Sequence, residues 1–124
     1  MGGRILVVED DAAILDTYQE ILTDDGFEVV GYPDATIDVA AIRQFDPDLI
    51  VLDLLFGADA AGITLVRALK ATPGTAAIPL LMCTASDHAL RHWQSLLDSV
   101  HVPVIIKPFD LDEFLGMVRA TMRQ

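Results

Sequence analysis

Leu49-Ile50-Val51-Leu52-Asp53-Leu54-Leu55-Phe56 sets seven apolar residues around one carboxylate. Asp46-Pro47-Asp48 precedes the run and Gly57 follows it. Apolar runs bounded by turn residues read as strands covered on both faces, as in a parallel sheet. A carboxylate inside such a run is costly unless it ends the strand or has a partner. Asp53 is therefore expected at the carboxyl end of a central strand, where open α/β sheets carry their sites.

Outward from that run, strand and helix patterns alternate. Arg4 to Val8 reads as a first strand, and it leads directly into Glu9-Asp10-Asp11. Ile14, Leu15, Tyr18, Ile21 and Leu22 follow the spacing of a helix with one buried face, stopped at Gly26. Phe27 to Tyr32 is the second strand, and Thr36 to Phe45 a helix with Ile37, Ala40 and Ala41 as its stripe. Tyr18 and Tyr32 are assigned to packing. After the Asp53 strand and a loop from Gly57 to Gly62, Ile63, Val66 and Leu69 mark a helix ended by Thr72-Pro73-Gly74. Ile78 to Cys83 is a buried strand finishing at Thr84-Ala85-Ser86, and Leu90, Trp93, Leu96, Leu97 and Val100 mark the next helix. Val102 to Ile106 is the fifth strand, followed by Lys107-Pro108-Phe109. Asp110 caps a last helix, with Glu113 placed for a capping box and Leu111, Phe114, Leu115, Val118 and Met122 as its buried stripe.

The pattern βαβαβαβαβα implies an α/β fold, a doubly wound five-stranded parallel sheet with helices on both faces. The 124 residues are read as a single domain, 1–124, and a 52% hydrophobic content supports a packed core. A formal net charge of -11 argues against direct nucleic-acid binding. No apolar run reaches the roughly 18 residues of a membrane span, and no signal peptide opens the chain. Cys83, a single cysteine, cannot form an internal disulfide, which fits a reducing cytoplasm. His88 and His92 have metal-ligand spacing, but Ala89 stands where a zinc protease carries Glu and no third ligand is evident. They are read as surface residues, and Cys83 as a core residue.

In a parallel sheet all strands end on one edge. Four of these strands end in polar groups: Glu9-Asp10, Asp53, Thr84 and Lys107. Three adjacent carboxylates at residues 9–11 repel one another unless something positive sits among them. Asp11 is assigned to capping the next helix, and Glu9 and Asp10 to a cation, since hard oxygens suit Mg²⁺. A carboxylate, a cation pocket, a hydroxyl and an ammonium on one edge make a phosphoryl-transfer site. Asp53 is its nucleophile, Thr84 a donor to a phosphoryl oxygen, and Lys107 the remaining positive charge.

These residues resemble the response-regulator receiver domain over nearly the whole chain: Ile5 to Asp11, Asp53 ending the third strand, Thr84-Ala85 and Lys107-Pro108-Phe109. The resemblance implies the flavodoxin-like sheet order 2-1-3-4-5. It implies two-component signal transduction, with a histidine kinase or histidine phosphotransfer protein as donor to Asp53. It adds the backbone carbonyl of Leu55 to Glu9, Asp10 and Asp53 as a Mg²⁺ ligand, and a cis Lys107–Pro108 bond. Such a chain is a phosphoprotein that assists its own phosphorylation and dephosphorylation; it is not an enzyme acting on a separate substrate. The downstream partner is open, and so is a dimer. With no effector segment after Gln124, the chain reads as a stand-alone receiver or one cut from a longer regulator or hybrid kinase.

Three departures stand out. The loop from Asp53 to Gly62 is slightly long, with Gly57 where Pro is typical. The Gly-Ala common before the fifth strand is absent. Val104 stands where the family carries an aromatic, which bears on the output face. Competing readings fare worse. An aspartyl phosphatase would want a second acid after Asp53, where Leu54-Leu55 stands. A flavin carrier would want a phosphate-binding loop where residues 9–11 are acidic. A pseudo-receiver used only for binding would not need Asp53, Thr84 and Lys107 together.

Overall fold

The computed structural model describes residues 3–33, 37–53, 61–84 and 87–122, with Asp53, Ala61 and residues 87–89 described by backbone alone. The elements in chain order are β1 (Arg4–Val8), α1 (Ala12–Asp24), β2 (Glu28–Tyr32), α2 (Val39–Phe45), β3 (Leu49–Asp53), α3 (Ala61–Ala71), β4 (Leu80–Thr84), α4 (Asp87–Ser99), β5 (Val104–Ile106) and α5 (Leu111–Thr121). The strands form one parallel sheet in the order β2-β1-β3-β4-β5. Among the described residues no helix is long and apolar enough to cross a membrane.

Alternation along the strands splits the core into two layers. Ile5, Val7, Leu49, Val51, Leu81, Cys83 and Ile105 face α1 and α5, meeting Tyr18, Leu22, Phe114 and Val118. Leu6, Val8, Ile50, Leu52, Leu80 and Met82 face the other way, onto Ile42, Ile63, Val66, Leu69 and Leu97 of α2, α3 and α4. β3 is apolar up to Asp53 and β4 up to Thr84 because both of their faces are covered. On the first layer Tyr18, Phe114 and Phe109 stack as three rings, with centroids 5.1 and 5.3 Å apart. Tyr18 is thus a packing residue. Gly31 of β2 allows α1 to lie close, since a Cβ there would stand 2.7 Å from Nε2 of Gln19 and 3.0 Å from Cδ1 of Leu15.

Two strands begin later than their apolar runs suggest, for one shared reason. Gly26 (φ 96°) and His101 (φ 59°) are left-handed residues just past α1 and α4. The next N–H groups, of Phe27 and Val102, turn back to the carbonyls of Leu22 and Leu97. This six-to-one helix-ending pattern uses up a donor that a strand would need. β2 and β5 therefore start at Glu28 and Val104, not at Phe27 and Val102. β4 starts at Leu80 because the N–H of Ile78 is bonded to Thr75 in the preceding turn.

Helix α2 also departs from expectation. It starts at Val39, capped by Asp38, and Thr36 lies outside the described residues. Its core residue is Ile42, while Ala40 and Ala41 are exposed; the later start turns the branched side chain inward. Seven residues do not cover the end of β2, so Tyr32 and Val30 stay partly exposed. Asp46, left-handed at φ 51°, and Pro47 end the helix.

At the amino edge of the sheet Arg4 gathers three segments. Its N–H donates to Asp48 Oδ2 at 2.9 Å, its Nη1 to the Phe45 carbonyl at 2.9 Å, and its guanidinium lies 5.7 Å from the Phe45 ring centroid.

Candidate functional site

The carboxyl edge brings the predicted residues together through strand register. Val8 is level with Leu52, and Asp53 with Cys83, so Glu9 follows β1 at the height where Asp53 ends β3. The ladder continues through Glu9, whose N–H donates to the Tyr32 carbonyl at 3.1 Å. Thr84 ends β4 one residue beyond Cys83, fully buried, and its carbonyl accepts the N–H of Lys107 at 2.7 Å. That bond carries the β4–β5 ladder into the turn and fixes where Lys107 leaves the sheet. The Lys107–Pro108 peptide bond is cis, as expected from the sequence.

Glu9 and Lys107 lie two residues beyond Val7 and Ile105, on the rows that face α1 and α5. Lys107 comes from the far side of β4 and β3, and its stem carries Nζ to 3.8 Å from Glu9 Oε1. Glu9 is a charged side chain only 2% exposed, and that of Lys107 is 20% exposed. Two charges taken so far from water hold each other in place, because a buried charge is stable only when paired. The sequence reading gave Glu9 to a cation and Lys107 to a phosphoryl group, and missed that they meet directly. The signal was present in the acidic triplet, which called for a positive neighbour.

Asp10 is exposed beside Glu9. Asp11 caps α1, accepting from the N–H groups of Ala13 at 2.9 Å and Ile14 at 3.1 Å. The triplet thus divides into one helix cap and two oxygens-bearing groups at the strand end. Glu9 and Asp10 are hard-oxygen donors of the type Mg²⁺ takes. Among the described residues the buried Oε2 atom of Glu9 accepts no hydrogen bond. Among the described residues no cluster of three or more His, Cys, Asp or Glu ligands assembles. The Asp53 side chain and Leu55, whose carbonyl was expected as a ligand, lie outside that description, as do Ala85 and Ser86.

The other candidates separate from the edge. Cys83 is buried in the core. His92 is exposed and meets Trp93 edge-on at 4.7 Å, while the side chain of His88 lies outside the described residues. Arg67 of α3 covers the Trp93 ring at 5.6 Å, and Val104 packs half-buried in the same layer as Trp93, Leu90 and Leu96.

The sequence pattern of the response regulator receiver domain matches residues 5–119. The chain is 35% identical over 124 residues to the DNA-binding response regulator MtrA of Mycobacterium tuberculosis, covering 100% of this chain and 52% of that protein. It is 37% identical over 121 residues to the DNA-binding dual master transcriptional regulator RpaA of Synechocystis sp., covering 98% of this chain and 49% of that protein. The chain spans about half the length of the curated relatives it matches. Its fold is that of the chemotaxis protein CheY4 of Vibrio cholerae, with TM-score 0.84 at 21% identity over 98% of this chain and 99% of that one. It is also that of the receiver domain of the sensor histidine kinase PA1611 of Pseudomonas aeruginosa, with TM-score 0.82 at 21% identity over 98% of each chain; that structure holds a magnesium ion in its active site cleft.

Proposed function

The chain belongs to the response regulator receiver domain family of two-component signalling, and on that premise we propose that Asp53 is its phosphoacceptor. The observation that carries this reading is the edge itself. The buried Glu9–Lys107 pair and the buried Thr84 surround the height at which β3 ends in Asp53. A carboxylate oxygen of Asp53 attacks phosphorus on a phosphohistidine of a histidine kinase or phosphotransfer protein. The P–N bond breaks, a P–O bond forms, and the imidazole leaves. Thr84 donates its hydroxyl to a phosphoryl oxygen, and Lys107 sets its ammonium against the added negative charge. Glu9 holds the Lys107 ammonium over the strand tips.

Glu9, Asp10, Asp53 and the Leu55 carbonyl would hold Mg²⁺. The ion supplies positive charge between two anions that would otherwise repel. Domain 1–124 acts as a phosphoacceptor that assists its own phosphorylation and dephosphorylation, and does not turn over a separate substrate. The relatives' DNA binding is not carried over, because a net charge of -11 gives phosphate backbones no counter-surface. A single cysteine, Cys83, buried in the core, fits work in a reducing cytoplasm.

The test is phosphate incorporation from a small phosphodonor with Mg²⁺. Wild type should label once per chain, and Asp53→Asn should not label while keeping its circular dichroism spectrum. Undiminished labelling of Asp53→Asn would reject the assignment.

A further inference from the structure

Away from the phosphoacceptor edge, α1 and α5 leave a cleft between them. Its volume is about 240 Å³, and it is lined by Ile21, Asp24 and Asp25 of α1 and its C-cap and by Leu111 and Leu115 of α5. The sequence placed Leu111 in the buried stripe of α5, yet it is 52% exposed. Leu111, Leu115 and Arg119 recur every fourth residue on α5, so they form one line along the helix. Arg119 pairs with one of the lining acids, its Nη2 2.6 Å from Asp25 Oδ2. Among the described residues the cation at this seam is therefore already engaged.

The charge at the cleft is acidic: Asp24 and Asp25 line it, and Asp25 is paired with Arg119. Asp16, Glu20 and Asp24 recur at i, i+4 and i+8 along α1, and all three are exposed. Like charges at that spacing work against the helix they sit on. Asp112 and Glu113 add negative charge in the first turn of α5. An apolar floor with a half-exposed Leu, lined by Asp24 and Asp25 and followed on α5 by Asp112 and Glu113, is the mirror of a basic amphipathic surface. The volume fits one or two side chains and falls below the roughly 300 Å³ at which small-molecule pockets begin. A second copy of this chain would bring acidic rim against acidic rim. Nucleic acid and anionic membrane would meet the same repulsion.

We infer that this cleft is a docking surface for a basic amphipathic helix of a protein partner. One apolar side chain of that helix seats between Ile21, Leu111 and Leu115, and its Lys or Arg residues face Asp24 and Glu20. The cleft contains none of Glu9, Asp10, Asp53, Thr84 or Lys107, so the inference stands apart from the phosphoacceptor assignment.

The probe is a synthetic amphipathic helical peptide with one Leu face and one Lys face. It is titrated into isotope-labelled protein while amide shifts are followed. Two controls carry the same residues in scrambled order, or Glu in place of Lys. Saturable shifts should centre on Ile21, Asp24, Leu111 and Leu115, weaken with added salt, and be absent with both controls. Leu111→Ala removes an exposed side chain, so the fold should survive, and it should weaken binding about tenfold. Asp24→Asn should weaken it about threefold and flatten the salt dependence. Shifts spread over the whole acidic surface and reproduced by the scrambled peptide would overturn the inference. So would unchanged affinity in Leu111→Ala, or concentration-dependent shifts at the cleft without peptide, which would assign it to a second copy.

Discussion

Replacing Lys107 by Met deletes the cation 3.8 Å from a carboxylate that is 2% exposed. At an effective dielectric of about 20, two unit charges at this separation attract by about 4 kcal/mol before desolvation is counted. Lys107 keeps 20% of its side-chain exposure, so part of that attraction is offset by lost hydration and part by residual solvent screening. The expected loss for Lys107→Met at neutral pH is about 3 kcal/mol, most of it from removing the cation paired with the buried Glu9 carboxylate. Glu9→Gln keeps the shape and leaves an ammonium that can turn to water, so it should cost only about 1 kcal/mol. The double variant should lose about 2 kcal/mol, which puts the coupling near 2 kcal/mol. Urea unfolding of the four proteins, followed by circular dichroism, measures all three. With an m-value of about 1–2 kcal/mol/M, the Lys107→Met midpoint should fall by more than about 1 M. A cycle that closes additively to within about 0.5 kcal/mol would refute the reasoning and reduce the pair to mere neighbours.

Phe114→Ala removes the middle ring of the Tyr18–Phe114–Phe109 stack and should cost about 3–5 kcal/mol in the same assay; a loss under about 2 kcal/mol would mean the layer collapses into the space. Gly116→Ala places a Cβ on α5 where nothing lies within 4 Å, so it should gain about 1 kcal/mol, and a lower midpoint would contradict that. Asp10→Ala should weaken Mg²⁺ binding by about tenfold or more, read from amide shifts near Asp53, and equal affinity would remove Asp10 from the site. Beryllofluoride should perturb amides near Thr84 strongly and Trp93 fluorescence weakly, because Val104 has one preferred rotamer and Arg67 already covers the indole. A large Trp93 response that disappears in Thr84→Ala would show full coupling without an aromatic on β5.

The sheet was legible because its strands are covered on both faces, and covered strands have to be apolar. The run ending in Asp53, and Arg4 to Val8, declared themselves for that reason. What was not legible was decided by single backbone donors. Nothing in the apolarity of Phe27 or Val102 reveals that their N–H groups close a helix and do not join a ladder. Helix α2 misled for a related reason: small Ala residues fit an apolar stripe by pattern, but Ile42 has more surface to bury and sets the rotation. At the site, the topology alone predicted that Glu9, Thr84 and Lys107 share an edge. The 3.8 Å approach of Lys107 to Glu9 depends on where the β5–α5 turn releases the lysine, and a one-letter string carries no such direction. Leu111 was assigned to the core because it keeps the period of Leu115 and Val118, and period says nothing about where a neighbouring helix stops.

A parallel sheet has a polarity, and here the two rims answer to different pressures. The carboxyl rim holds groups that tolerate little change in position. At the amino rim, Arg4 holds Asp48 and Phe45 through a backbone N–H, a guanidinium and a ring contact, three attachments with no group in common with the reacting edge. That rim can be rewritten without retuning the chemistry. A protein engineer seeking to append a reporter or a tether would place it there, provided Arg4 keeps its grip. Lineages that diverge in sequence while keeping one chemistry would be expected to drift fastest on the same side.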